Sequence, residues 1–215
     1  MAASDYLNGV TDNHKAYYQA LDSKYSKKMF KTVIGCGAAG TGKTFLPCKF
    51  AADRLLSDKK HKVVIFRPKE GPGKEDGYYP GDMIDKNLPW VINVIQEICD
   101  GTSLNPEMLI KDGRIEIVPI NLSRGRSFDN ATMILDEAQN CQLSELVCIA
   151  TRQGQGSRLV VTGDTKQTDI SGGGFSEFIN CCENNMKDCV SIVRFTSKDN
   201  MRSGISKRFT EEFLR

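Results

Sequence analysis

A chain of 215 residues, 40% hydrophobic and 26% charged, can build one sizeable α/β domain with a real core. Its net charge of +2 creates no global field that singles out nucleic acid or excludes it. No apolar run approaches the roughly 20 residues of a membrane span, and Met1–Tyr6 lacks the basic and apolar regions of a signal peptide, so a cytoplasmic protein with no membrane partner is expected.

Residues 1–12 read as a flexible, polar N-terminal arm. Tyr17, Ala20, Leu21 and Tyr25 recur at helical spacing and predict a first helix over 13–28. Lys31–Cys36 is a short apolar run that reads as a buried strand, and Phe45, Leu46, Phe50, Ala51, Leu55 and Leu56 suit a helix after it. Between them lies Gly37-Ala38-Ala39-Gly40-Thr41-Gly42-Lys43-Thr44, which fits Gly, four residues, Gly, Lys, Ser/Thr. Strand, glycine turn and helix is the setting of a phosphate-binding loop. Its amides converge on phosphate oxygens, and the helix start adds a favourable dipole. Lys43 would reach the β/γ-phosphates, and the Thr44 hydroxyl would hold Mg²⁺. A helix starting near Gly42 would put Pro47 at the edge of what a first turn tolerates and bend the helix slightly.

Lys62–Arg67 is a second buried strand, ended by Pro68. Residues 68–82, rich in Gly and Pro, form a long loop whose Tyr78-Tyr79 pair either stacks on bases or closes onto the core. Helices follow over 86–99 and 105–111, then a strand at Arg114–Val118 and a basic turn, Ser123–Ser127. Ala131–Leu135 is an apolar strand leading into Asp136-Glu137, residues 142–153 a helix, and Arg158–Thr162 another buried strand. A helix opened by Gly172-Gly173-Gly174 and running through about Asn184, a strand at Val190–Phe195 and a helix over 204–214 complete the chain. Strands alternating with helices predict a mostly parallel sheet covered on both faces. The eight cysteines form no Cys-x-x-Cys pair, and most lie in apolar runs, so they read as core thiols rather than metal ligands or disulfides.

Asp136 at a strand end can share with Thr44 the holding of Mg²⁺, and Glu137 can orient or deprotonate a water for attack on the γ-phosphate. Thr162-Gly163-Asp164-Thr165-Lys166-Gln167 again follows a buried strand; Gln167 can contact the attacking water or γ-phosphate, with Asp164 orienting it. Arg67 and the Arg124/Arg126 turn follow strands and are expected along the nucleotide edge of the sheet. There they would hold nucleic-acid backbone, or else pair with local acids such as Asp129.

The series Gly37–Thr44, Phe66-Arg67-Pro68, Arg124-Gly125-Arg126, Asp136-Glu137-Ala138-Gln139-Asn140, Thr151-Arg152-x-Gly154 and Gly163-Asp164-x-x-Gln167 resembles the PhoH-like ATPases, relatives of the core of superfamily-one helicases. The resemblance runs from about Asn13 to Arg208 and implies a single RecA-like P-loop NTPase core over 13–215. It implies ATP and Mg²⁺ as cofactors and ATP hydrolysis acting on RNA or single-stranded DNA. Unlike fused members, the sequence shows no PIN ribonuclease domain. Its brevity resembles the versions carried by viruses, which would place it in a host cytoplasm. Asn13-His14 stands where relatives carry Asn-Gln; that glutamine resembles the adenine-reading residue of helicases, so the resemblance puts His14 among the nucleotide-binding residues and leaves adenine selectivity open. Asp199-Asn200-Met201-Arg202 resembles the family's Asp-Val-Val-Arg, which makes Arg202 the residue stabilising transition-state charge, in its own subunit or across an interface.

A helicase-type site needs groups from two cores and this chain supplies one, so a homo-oligomer, a hexameric ring, is expected. Two other functions fit the phosphate loop: a nucleotide-gated scaffold with little turnover, and a small-molecule kinase.

Overall fold

The computed structural model describes residues 10–22, 30–68, 83–167 and 174–213. Among these, six strands form one sheet: β1 (Thr32–Cys36), β2 (Lys62–Arg67), β3 (Ile115–Pro119), β4 (Ala131–Leu135), β5 (Arg158–Gly163) and β6 (Val190–Arg194). Their order is β3-β2-β4-β5-β1-β6, and every pairing is parallel. The helices are α1 (Asp12–Leu21), α2 (Phe45–Ser57), α3 (Met83–Cys99), α4 (Pro106–Lys111), α5 (Leu143–Ala150), α6 (Phe175–Asn185) and α7 (Gly204–Phe213).

The continuous apolar runs follow from burial on both faces. Val63 and Ile65 of β2, Ile134 of β4 and Val160 of β5 point to one side, where they meet α1, α2 and α3 through Leu21, Ala51, Leu55, Ile95 and Ile98. Their neighbours Val64, Phe66, Met133, Leu135, Leu159 and Val161 point to the other, against Leu146 and Ile149 of α5 and Phe175, Phe178 and Ile179 of α6. The chain leaves β1 through α2 on the first face and leaves the adjacent β5 through α6 on the second. Neighbouring strands whose connections part in this way open a crevice at their C-terminal ends, which is where such sheets bind ligands.

Several elements differ from expectation at their ends. Thr11 and Asp12, assigned to the arm by sequence, belong to the fold: Thr11 caps α1. That helix ends at Leu21, and the remainder of its expected span from Ser23, including Tyr25, lies outside the described residues. So do residues 69–82, with Tyr78 and Tyr79. Helix α5 stops at Ala150, because the chain turns so that Gln153 can pair with Phe128. All eight cysteines are free. Cys36, Cys48, Cys99, Cys141 and Cys182 are buried, whereas Cys181 is exposed. Burial pushes the Cys141 thiol up to about 12, as suits an inert core sulfur. Among the described residues no helix is long and apolar enough to cross a membrane.

Candidate nucleotide-binding site

The loop Gly37–Thr44 lies in the β1/β5 crevice, its first amide donating to the Gly163 carbonyl at 3.0 Å. Gly40 and Gly42 have φ of +84° and +73°, the left-handed region that only glycine enters without strain. Lys43 is nearly buried, with Nζ 3.4 Å from the Ala38 carbonyl; that long contact is one a phosphate oxygen can replace.

Thr44 caps α2, so Pro47 sits in its first turn, where proline is tolerated. The proline has a different consequence. Leu46 N–H donates to the Gly42 carbonyl at 3.2 Å and Cys48 N–H to the Thr44 carbonyl at 3.3 Å, but Pro47 has no N–H to offer Lys43. The hydroxyl of Tyr17 donates to the Lys43 carbonyl instead, at 3.2 Å. Burial first, then the Asp136 charge, push the Tyr17 hydroxyl well above its ordinary value, so it remains a donor. Gly35 makes room for it: a Cβ there would lie 2.6 Å from the Tyr17 oxygen.

Asp136 and Glu137 follow β4, at the same edge. Thr44 Oγ1 lies 3.2 Å from both Asp136 carboxylate oxygens. Asp136 Oδ1 also accepts from the Thr162 hydroxyl and, at 3.0 Å, from the Glu137 amide. Glu137 is one of two non-glycine residues with positive φ among those described, at 55°. Such strain persists only where the surroundings impose it. Here Gln139 imposes it, donating from Nε2 to Glu137 Oε2 at 2.5 Å while its Oε1 accepts from the Asp164 amide at 3.0 Å. The acidic pair is thereby locked to the end of β5.

Asp164 shapes the turn that follows β5. Its Oδ1 accepts from Lys166 N–H at 2.9 Å and its carbonyl from Gln167 N–H at 3.3 Å. It holds Gln167 through the backbone. Gln167 Nε2 is buried without a hydrogen-bond partner among the described residues. An unfilled donor of this kind is costly unless a ligand supplies its acceptor.

His14 packs against the phosphate loop. It is 1% exposed and lies behind the phosphate loop, its Nε2 donating to the Thr41 carbonyl at 2.8 Å. Its Nδ1 faces Thr11, 3.3 Å from the amide and 2.8 Å from the hydroxyl. Thr11 donates onward to buried Asp199, which also accepts from Asn13 Nδ2 at 2.9 Å and Thr196 N–H at 2.6 Å. His14 thus ties α1 to the loop and to the segment after β6, and braces the cradle.

Arg202 reaches the same loop within its own chain. Met201 N–H donates to the Gly40 carbonyl at 2.9 Å, and a Cβ on Gly40 would lie 2.7 Å from the Arg202 stem. The three basic residues assigned to nucleic acid separate. Arg67 ends β2, so its backbone is at the nucleotide edge, paired in register with Pro119. Arg124 is exposed on the turn after β3. Arg126 does not lie where expected, because the chain is already returning to the start of β4. Its guanidinium meets Glu116 at 2.5 Å and stacks 4.7 Å from the Phe128 ring centroid. Asp129, the acid expected as partner, accepts from the Gln155 amide instead.

The donor set suits a nucleotide with Mg²⁺. Mg²⁺ is ordinarily held by one or two carboxylates, a hydroxyl and substrate phosphates, not by an all-protein cage. Among the described residues no group of three His, Cys, Asp or Glu side chains forms such a cage, while Thr44 and Asp136 already share one point.

The PhoH-like protein family profile matches residues 6–213. This chain belongs to the PhoH-like family. It is 32% identical over 211 residues to a PhoH-like protein of Mycobacterium tuberculosis, covering 95% of this chain and 57% of that one. To Protein PhoH of Escherichia coli it is 31% identical over 196 residues, covering 89% and 54%. It thus spans a little over half the length of these relatives. Its fold is similar to the large terminase of bacteriophage HK97 (TM-score 0.55, 14% identity, 94% of this chain and 42% of that one). It is similar also to the large terminase of a thermophilic bacteriophage (TM-score 0.53, 13% identity, 94% and 50%). The PhoH-like chain is accordingly a RecA-like P-loop NTPase core: a parallel sheet with helices on both faces.

Proposed function

We propose that this PhoH-like protein binds and hydrolyses Mg²⁺-ATP and couples hydrolysis to remodelling of, or translocation along, RNA or single-stranded DNA. The observation that carries the hydrolytic part is the Thr44 hydroxyl set 3.2 Å from both oxygens of Asp136, with Glu137 locked beside it by Gln139. Thr44 and Asp136 would hold the metal, which when bound supplies positive charge to the β/γ-phosphates. The Gly37–Gly42 amides and Lys43 hold the phosphates. Glu137 orients the attacking water and accepts its proton, and the unfilled Gln167 Nε2 is a donor for that water or the γ-phosphate. Arg202, over Gly40, adds charge stabilisation from within the same subunit.

The nucleic-acid part rests on the family resemblance and on Arg67 at the nucleotide edge. Assembly into a homo-oligomeric ring belongs to the same proposal; with Arg202 supplied in its own chain, a neighbour would complete the nucleic-acid path more than the phosphate site. The test is phosphate release with and without single-stranded RNA or DNA at two salt concentrations, beside Glu137→Gln. Turnover that collapses in the variant while ATP binding persists supports the reading. Wild-type release no faster than the variant's would leave a nucleotide-gated scaffold instead. Stimulation that weakens with salt supports backbone binding.

A further inference from the structure

At the edge of the sheet opposite the phosphate loop, the first residues of β1, β4 and β5 and the end of α2 enclose a cavity of about 220 Å³. It is lined by Arg54, Arg158 and Lys31, with Phe50, His61 and Asp22. Arg158 donates from Nε to the Phe30 carbonyl at 3.1 Å and lies over the Phe50 ring, 5.4 Å from its centroid, which fixes its plane. Its terminal nitrogens make no other hydrogen bond among the described residues, and neither Arg158 nor Arg54 is in ion-pair contact with a carboxylate there. By contrast, Lys49 bonds the Glu97 and Asp100 carbonyls and the Glu97 carboxylate, and Arg114 bonds the Leu55 and Asp58 carbonyls. His61 adds no charge to offset, since burial lowers its pKa and its two ring nitrogens are engaged by Asn130 and Thr132.

Two guanidinium groups and a lysine against a single acid leave the cavity with an excess of positive charge. Burial pulls the Arg158 pKa down, the neighbouring Arg54 charge adds to this, and the Asp22 charge offsets it only in part. Fork-shaped donors on a rigid frame match the oxygens of a phosphate group. The cavity has room for a group much larger than one water. We propose that this cavity is a second anion site, separate from the phosphate loop, that binds a phosphate monoester through Arg54 and Arg158. The source is either a free phosphate compound or the 5′-phosphate of a nucleic-acid end. Arg54 lies in the last turn of α2, whose cap is Thr44, so one helix joins this site to the nucleotide site.

Titration calorimetry with inorganic phosphate, on protein whose phosphate loop is saturated with Mg²⁺-ADP, tests the site; a 5′-phosphorylated trinucleotide and its 5′-hydroxyl counterpart form the second arm. Loss of one charged hydrogen-bonding partner should weaken binding about tenfold or more in Arg54→Gln and Arg158→Gln, with the exposed Lys111→Gln unchanged. Binding of phosphate supports a free compound as the source, and binding of only the phosphorylated trinucleotide supports a strand end. Arg158→Gln also removes the bond to Phe30, so Arg54→Gln, which breaks no such bond, decides if the former fails to fold. Absence of binding in both arms, binding unchanged in Arg54→Gln, or binding lost in Lys111→Gln overturns the proposal.

Discussion

If Tyr17 replaces the amide that Pro47 lacks, the two residues are coupled in a way that a double-mutant cycle can measure. In Tyr17→Phe the ring still fills its place against Phe195, 5.3 Å away edge to face, but the Lys43 carbonyl loses its donor. Leaving a buried acceptor unsatisfied costs about 1–3 kcal/mol. The 3.2 Å length places this bond at the weak end, so a loss of about 1–2 kcal/mol is expected. Pro47→Ala alone supplies an N–H to the same carbonyl while giving up the proline's restriction of the unfolded chain, a change of about 1 kcal/mol or less. In the double variant that amide takes over, so most of the Tyr17→Phe loss should disappear and a coupling energy of about 1 kcal/mol should remain. Urea unfolding followed by circular dichroism gives the four stabilities, and Mg²⁺-ADP affinity gives an independent reading at Lys43. Strict additivity of the two substitutions in both measurements would refute the exchange of donors.

Thr162→Val removes a donor from Asp136 and should weaken Mg²⁺ dependence of turnover about 10- to 100-fold, measured as the Mg²⁺ concentration for half-maximal rate. Gln139→Leu frees Glu137 from its strained conformation; kcat should fall while ATP affinity stays within about twofold, because the interaction acts on the reacting water and not on ground-state binding. Gly40→Ala forces a Cβ to 2.7 Å from the Arg202 stem in a left-handed backbone, so it should weaken nucleotide binding more than Arg202→Ala does, as read by fluorescent-nucleotide titration. His61 has its pKa lowered by burial, so the folded state resists the proton that the unfolded chain takes up below about pH 6.5. Its contribution to stability is whole above that pH and is lost as the pH falls toward the lowered value. Urea midpoints should drop between pH 7.5 and 5.5 in the wild type and drop less in His61→Gln.

The inner strands were legible because they are buried on both sides and therefore read as nearly unbroken apolar runs, while the half-buried edge strand β3 was legible from its alternation. The phosphate loop and the Asp136-Glu137 pair were legible because each is a local pattern at a strand end. Thr162 could have been found by one question: a hydroxyl in a fully buried strand must meet a partner, and Asp136 is that partner. Pro47 likewise announces a carbonyl without a donor, but nothing in the sequence names Tyr17 as the one that fills it. Arg126 was misplaced for a topological reason. A residue that follows one strand also precedes the next, and only the course of the chain shows how far it has turned back.

Local patterns thus determined which residues are candidates to meet phosphate and metal, and that a parallel sheet presents them. Tertiary structure decided what holds those residues in place. His14 sits under Thr41, Thr11 against Asp199, Gln139 between Glu137 and Asp164, and Arg202 over Gly40 of the same chain. A covalent spacing sets the first kind of relation within a few residues. The second joins segments as far apart as Thr11 and Asp199, 188 positions along the chain, and exists only after the sheet has packed.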